Sequence, residues 1–332
     1  MDHQQQSLGI GSVLILAAVI LRLLSTGALE PLAEALKAPQ TAAFLLYLET
    51  GRVVHPQQVL LTEPTTVPTI PPETQPPQTQ PAQTEPREVY CFAAEDAALV
   101  NVTYHASHRP DLSAMVTAPL RWELAGEKPT VLILHSHATE CYLPDGSFVQ
   151  TSPYRTLDTS QNMVSLGELL ARLLQQNGIR VIHDTTLHDH PSYNQSYTSS
   201  RKAVREYLEK YPSLVLVLDL HRDGVDGQVQ PDTSAQVHGQ ESAQLMMVAG
   251  TKQAGWEDNM ALAVKLTAVL EKLHPGITRP ISLRKQQFNQ DLCPGALIVE
   301  VGAAGNTHAE AETAIHALAE AILALSWGAN DG

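Results

Sequence analysis

The chain has few cysteines and few positive charges. Its three cysteines are too scattered over 332 residues for a disulfide scaffold, and an odd number leaves at least one thiol unpaired. Cys141 and Cys293 lack a CxxC partner and are expected to be buried structural thiols. Lys and Arg number 21 against 35 Asp and Glu, which gives a formal net charge of −14. Because such a surface repels a phosphate backbone, we expect no nucleic-acid partner.

The N-terminus lacks the basic flank of a typical signal peptide. Asp2 and His3 are the only ionisable side chains before the apolar run Leu8 to Leu24, and no clear A-x-A cleavage site follows it. The run is close to the roughly 20 residues that cross a bilayer as a helix. We expect residues 1–28 to be an uncleaved membrane anchor, with a cleaved signal as the alternative. The prediction is a single-pass protein of the cell membrane with its catalytic domain extracytoplasmic.

Residues 62–88 lack the apolar side chains that a folded segment buries. The stretch is almost entirely Pro, Thr, Gln and Glu, and prolines favour extended polyproline II, which predicts a semi-rigid linker. Before it, residues 29–61 carry Leu and Ala at helical spacing and predict a juxtamembrane helical region. Globular composition then resumes. We expect residues 89–128 to form a lead-in segment packed on a catalytic domain of residues 129–332.

Within the catalytic domain, apolar runs alternate with amphipathic stretches. The predicted strands are Thr130 to Leu134, Ile179 to His183, Leu214 to Leu220, Gln244 to Ala249 and Ala296 to Val301. The predicted helices are Gln161 to Asn177, Tyr197 to Tyr211, Asn259 to Leu273 and His308 to Ser326. This alternation predicts an α/β layered sheet whose strands are buried on both faces. Chemistry in such sheets gathers where the strands end.

Two of the predicted strands end in side chains that bind metals. VLIL runs into His135-Ser136-His137-Ala138-Thr139-Glu140, in which His137 and Glu140 form an HxxE pair, and LVLVLDL ends at His221. Three protein ligands with an open fourth position are typical of catalytic zinc, which activates a water. His135 is an alternative to His137, and Asp158 to Glu140.

A third predicted strand, ALIVE, ends at Glu300. Its carboxylate is not needed as a ligand once three others are in place. Its position suits a general base that takes a proton from the water and returns one to the leaving amine.

These residues lie in motifs that resemble the stage II sporulation protein P family. In order, between about Pro129 and Glu320, they are HSHATECYLP, RTLDTSQN, GIRVIHDTTLHDHPSYNQSYTSSR, LDLHRDG and FNQDLCPGALIVEVGAAGN. The resemblance implies a three-layer twisted mixed sheet flanked by helices, similar to zinc-dependent amidases and zinc carboxypeptidases. It implies Zn²⁺ as cofactor and hydrolysis of the N-acetylmuramoyl-L-alanine amide of peptidoglycan, often also of peptide cross-links. It further implies a role in engulfment during sporulation, with stage II sporulation proteins D and M as partners.

The resemblance also carries roles to individual residues. It makes His137, Glu140 and His221 the metal ligands and Glu300 the catalytic carboxylate. Five further residues are expected to bind substrate or to contact the metal ligands: His135, Asp158, Arg222, Asp223 and Asn289. Family members commonly have Tyr where this chain has Phe288. Two alternatives stay open, namely a zinc carboxypeptidase or endopeptidase that uses the same four residues, and a non-catalytic wall-binding module.

Overall fold

The computed structural model describes residues 91–120, 122–142, 154–224 and 233–327. The predicted anchor, juxtamembrane region and linker, residues 1–88, lie outside these ranges. Within them, no helix has both the length and the apolar character needed to cross a bilayer. This finding contradicts the expected single-pass membrane localisation, and that expectation is not retained. The expectation depended on Leu8 to Leu24, which lies outside the residues that the structure describes.

A seven-stranded mixed sheet forms the centre of the fold. The strands in chain order are β1 (Val102–Tyr104), β2 (Val131–Leu134), β3 (Val181–His183), β4 (Leu216–Asp223), β5 (Ser234–Val237), β6 (Gln240–Ala243), β7 (Leu245–Gly250), β8 (Ile281–Arg284) and β9 (Ala296–Ala303). The order across the sheet is β1-β8-β7-β9-β4-β2-β3, and β5 and β6 pair separately as an antiparallel hairpin. β9, β4, β2 and β3 run parallel to one another, whereas β7 is antiparallel to β9. The carboxyl ends of β2, β3, β4 and β9 therefore lie together.

Helices cover both faces of the sheet. They are α1 (Leu112–Thr117), α2 (Met163–Gln176), α3 (Ser196–Lys210), α4 (Trp256–Leu273) and α5 (His308–Trp327), with short 3₁₀ turns at Ala94–Leu99, Tyr193–Gln195 and Gln290–Leu292. α2, α4 and α5 bury apolar side chains in one large core, and α3 packs on a smaller core on the opposite face. Gly178, at φ +85°, makes the turn from α2 towards β3 that its position predicts. The predicted three-layer α/β architecture with a mixed sheet is confirmed.

Strand alternation places polar side chains on the α3 face of the sheet. In β4, three alternate leucines enter the large core, whereas Val217 enters the core beneath α3. Asp219 and His221 have the same parity as Val217, and successive side chains point to opposite faces. In β9, Glu300 alternates in the same way with residues of the large core, and it lies opposite His221 in the β4–β9 register. The chemically active ends of β4 and β9 thus share one face.

Candidate metal centre

Two histidines and a glutamate from distant parts of the chain meet at the carboxyl ends of β2 and β4. His137 and Glu140 lie in the turn that follows β2, and His221 lies near the end of β4. One ligand-type atom from each residue lies within 4.8 Å of the other two. His137 Nδ1 is 3.2 Å from Glu140 Oε1, and His221 Nδ1 is 3.6 Å from Glu140 Oε2. The structure brings together the three side chains for which the sequence predicts a metal.

The electrostatics of the cluster favour a cation. Burial by itself would raise the pKa of Glu140, but the hydrogen bond from His137 and the charges of Arg222 and His221 outweigh burial and lower this pKa to about 2. Burial would likewise lower the pKa of His221, yet Asp219 and the other nearby carboxylates raise it to about 10. The negative potential that holds a proton on His221 would equally attract a divalent ion.

Asp219 supports His221 from the side away from Glu140. Its Oδ1 is 2.9 Å from His221 Nε2, an ion-pair contact without the alignment of a hydrogen bond. Ser136 holds this carboxylate: its backbone N–H donates to Oδ1 at 2.7 Å, and its hydroxyl donates to Oδ2. Histidine ligands commonly have such a carboxylate on their second nitrogen. Sequence analysis gave Asp219 no role, although a residue two positions before His221 on one strand must share its face.

Glu300 faces the same cluster from the neighbouring strand. Its Oε2 is buried and, among the described residues, is without a hydrogen-bond partner. Burial is the main influence on the pKa of Glu300 and raises it. The charge of His221 lowers this pKa and that of Glu140 raises it further, so that the pKa reaches about 8. A buried carboxylate that titrates near neutral pH can both accept and return a proton.

The two alternative ligands lie elsewhere. His135 is fully buried on the face of the large core, where its Nε2 is 2.9 Å from His183 Nε2. Burial and the charge of His183 lower the pKa of His135 to about 3, so its imidazole is neutral. Asp158 is exposed and accepts hydrogen bonds from the backbone N–H and the hydroxyl of Ser160 at 2.9 and 2.7 Å. Neither residue belongs to the His137 cluster.

Arg222 and Asp223 hold the surroundings of the cluster. The Arg222 backbone N–H donates to Glu140 Oε2 at 3.2 Å, while its guanidinium donates to the carbonyls of Cys141 and Tyr154 at 3.1 and 2.8 Å. Asp223 Oδ2 accepts from Arg279 Nη1 at 2.8 Å. Arg222 thus fixes the segment that carries Glu140.

Asn289 fixes the start of α3. Its side-chain amide donates to the Tyr197 carbonyl at 3.0 Å and to the Ser200 hydroxyl at 3.1 Å. Its φ of +60° is a left-handed conformation that asparagine tolerates better than most residues. The adjacent Phe288 ring lies 5.9 Å from the Tyr197 ring.

An aromatic ring and a guanidinium border the cluster on its open side. The Tyr193 ring, half exposed, stacks on His137 at 4.5 Å between centroids, and the Arg155 guanidinium lies 4.5 Å from the Tyr193 centroid. Arg155 also binds Asp189 at 2.7 Å and lies 3.4 Å from Glu140 Oε1. Arg155 and Asp189 were missed by sequence analysis, because no spacing along the chain connects them to the HxxE pair.

Comparison with known protein families identifies the family to which this chain belongs. The family model described as stage II sporulation protein P (SpoIIP) matches residues 62–323. The chain belongs to the stage II sporulation protein P family. This family member is 29% identical over 220 residues to stage II sporulation protein P of Bacillus subtilis (strain 168), an alignment that covers 62% of this chain and 53% of the relative. The chain thus spans about half the length of the curated relative that it matches.

Two solved structures align with this family member at low identity. One is the CwlD amidase from Clostridioides difficile in complex with the GerS lipoprotein, with a TM-score of 0.37 and 13% identity over 58% of this chain and 96% of that one. The other is an N-acetylmuramoyl-L-alanine amidase from Clostridium difficile 630, with a TM-score of 0.35 and 12% identity over 60% of this chain and 96% of that one.

Proposed function

We propose that this protein is a zinc-dependent peptidoglycan hydrolase that cleaves the N-acetylmuramoyl-L-alanine amide during sporulation. The observation that carries the proposal is the convergence of His137, Glu140 and His221 within 4.8 Å, with Glu300, whose Oε2 is buried, on the adjacent strand. Membership in the stage II sporulation protein P family supplies the link to sporulation. Stage II sporulation proteins D and M are proposed partners on the same ground.

The donor set fits zinc. Two imidazoles and one carboxylate are ligands typical of catalytic zinc sites, and they leave a coordination position for water. Glu140 has one oxygen near each histidine, and Asp219 lies against the second nitrogen of His221. When bound, zinc would supply a Lewis acid that polarises the amide carbonyl and acidifies a water.

Glu300 is the proposed acid–base residue. Its unpartnered Oε2 would accept the proton of the attacking water and then donate a proton to the leaving amine. A carboxylate with a pKa of about 8 holds a proton readily, and the positive charge of a bound metal would favour its ionised form. Glu300 therefore does not need to be a ligand to take part in the reaction.

The open side of the cluster provides groups for the substrate. Tyr193 offers an exposed ring, and Arg155 offers a guanidinium that could hold a peptide carboxylate or carbonyl. Burial and nearby carboxylates raise the pKa of Tyr197 far above its usual value, so its phenol stays a hydrogen-bond donor. The Tyr197 ring also lies close to both histidines: its centroid is 5.5 Å from that of His137 and 6.4 Å from that of His221.

The proposal is tested by digesting purified peptidoglycan with the zinc-loaded full chain and identifying the products by mass spectrometry. Free stem peptides that begin with L-alanine, together with unsubstituted glycan, are the expected products. Cleaved cross-links alone, with the muramoyl amide intact, would identify an endopeptidase or carboxypeptidase instead. Retention on peptidoglycan without any cleavage would identify a wall-binding module and refute the proposal.

A further inference from the structure

A second group of metal-ligand side chains lies outside the site described above. It consists of His238, His274 and Glu320, whose ligand-type atoms also lie within 4.8 Å of one another. His238 lies in the turn between β5 and β6, His274 directly follows α4, and Glu320 is in α5. None of the three belongs to the His137 cluster. We propose that they form a second divalent-metal site, which joins the β5–β6 hairpin to these two helices.

Both imidazoles already face a single carboxylate. His238 Nε2 is 3.0 Å from Glu320 Oε1, and His274 Nε2 is 2.8 Å from Glu320 Oε2. The two rings meet edge to face with centroids 4.9 Å apart. The same ring nitrogen of each histidine thus faces the Glu320 carboxylate, one at each oxygen, and one ligand-type atom from each of the three residues lies within 4.8 Å of the other two.

His238 and the glycine after it occupy the turn between β5 and β6. His238 and Gly239 have φ values of +50° and +77°, as in the two-residue hairpin turns that favour Asn-Gly. The His238 imidazole, carried at this turn, contacts Glu320. His274 is nearly fully buried, although its Nε2 still faces the same carboxylate.

The chemistry of these ligands indicates the class of ion. Two imidazoles and one carboxylate suit zinc or a neighbouring transition metal, whereas calcium and magnesium prefer oxygen ligands alone. A metal bound at both Nε2 atoms replaces any protons that they donate to Glu320, so binding either releases protons or moves them to Nδ1. His238 and Glu320 are exposed enough for water to complete the coordination shell.

The experiment counts metal in matched variants of the full chain. His238→Asn is the test variant, because asparagine suits the left-handed turn but lacks the imidazole. His316→Ala, which removes another exposed histidine from α5, is the control. Each protein is stripped with a chelator, dialysed against micromolar zinc and analysed for zinc by elemental analysis. We expect His238→Asn to hold one equivalent fewer than wild type and His316→Ala to match wild type.

The zinc lost by His238→Asn can be distinguished from zinc bound at the His137 cluster. His137→Ala should also lose one equivalent, and combining it with His238→Asn should remove two. If the first centre binds no zinc, His238→Asn still loses its equivalent and the second site stands. Retention of every wild-type equivalent by His238→Asn would overturn the second site and leave only histidine–glutamate ion pairs. Glu320→Gln provides a second test, and it should lose the same equivalent.

Discussion

Glu300→Gln tests whether Glu300 is a buried proton carrier, through stability as well as activity. In the metal-free protein the folded pKa of Glu300 is about 8, against 4.5 for an ordinary glutamate. Between these values the folded state binds more protons than the unfolded state, so the free energy of unfolding falls as pH rises. At 1.36 kcal/mol per pH unit, the loss between pH 4.5 and 7 is about 3 kcal/mol. Glutamine does not titrate, so the Glu300→Gln variant does not lose this free energy of unfolding.

The expected result is therefore a pH-dependent difference between two metal-free proteins. Glu300→Gln should be more stable than wild type by about 3 kcal/mol at pH 7, with the two nearly equal near pH 4.5. Urea unfolding of the chelated full chain at both pH values measures this difference. Glu257→Gln, which replaces an exposed carboxylate in the first turn of α4, is the matched control.

The same variant separates catalysis from metal binding. Once reloaded, Glu300→Gln should keep the wild-type zinc content while hydrolysis of peptidoglycan falls by on the order of 10²-fold or more. A folded, zinc-loaded and fully active variant would remove Glu300 from the reaction and direct attention to Asp223. Equal stability of the two metal-free proteins at pH 7 would refute the raised pKa itself.

Three further predictions concern the ligands, their support and the core. His137→Ala and His221→Ala should each lower the zinc content of the full chain, since each removes a ligand; full occupancy in both would contradict the assignment. Asp219→Asn should weaken zinc binding about 10–100-fold, measured by competition with a chelator, and unchanged affinity would show that the carboxylate does not support His221. Burial lowers the pKa of Lys265 to about 8, so the folded state binds fewer protons than the unfolded state between pH 8 and 10.5. Wild type should therefore gain up to about 3 kcal/mol in free energy of unfolding through that window, whereas Lys265→Met should not; parallel stability curves would contradict the buried charge.

The sequence by itself predicts the elements whose apolar side chains are numerous. β2, β4 and β9 are continuous apolar runs, and α2 and α5 have helical spacing, so hydrophobic periodicity is enough to identify them. β5 and β6 are four residues each and read Ser-Ala-Gln-Val and Gln-Glu-Ser-Ala, without an apolar run, and sequence analysis missed them. The hairpin forms because the strands pair with each other, an interaction that the composition of either strand does not encode.

In the candidate site, too, some features are predictable from the sequence and others depend on the fold. His137, Glu140, His221 and Glu300 are identifiable from sequence because each follows or ends an apolar strand. The HxxE spacing and the family resemblance already favoured His137 over His135, but the position of His135 depends on the fold: strand alternation directs it into the large core, where it meets His183. That burial depends on which helices cover each face.

Contacts between residues far apart in the sequence were decided by the tertiary structure alone. Arg155 meets Asp189 from 34 positions away, and Glu320 meets His274 from 46. Spacing along a chain indicates proximity only within one helix or strand, where the geometry repeats. Between elements, the order of strands in the sheet and the packing of helices on it set the distances, and these follow from burial of the whole apolar surface at once.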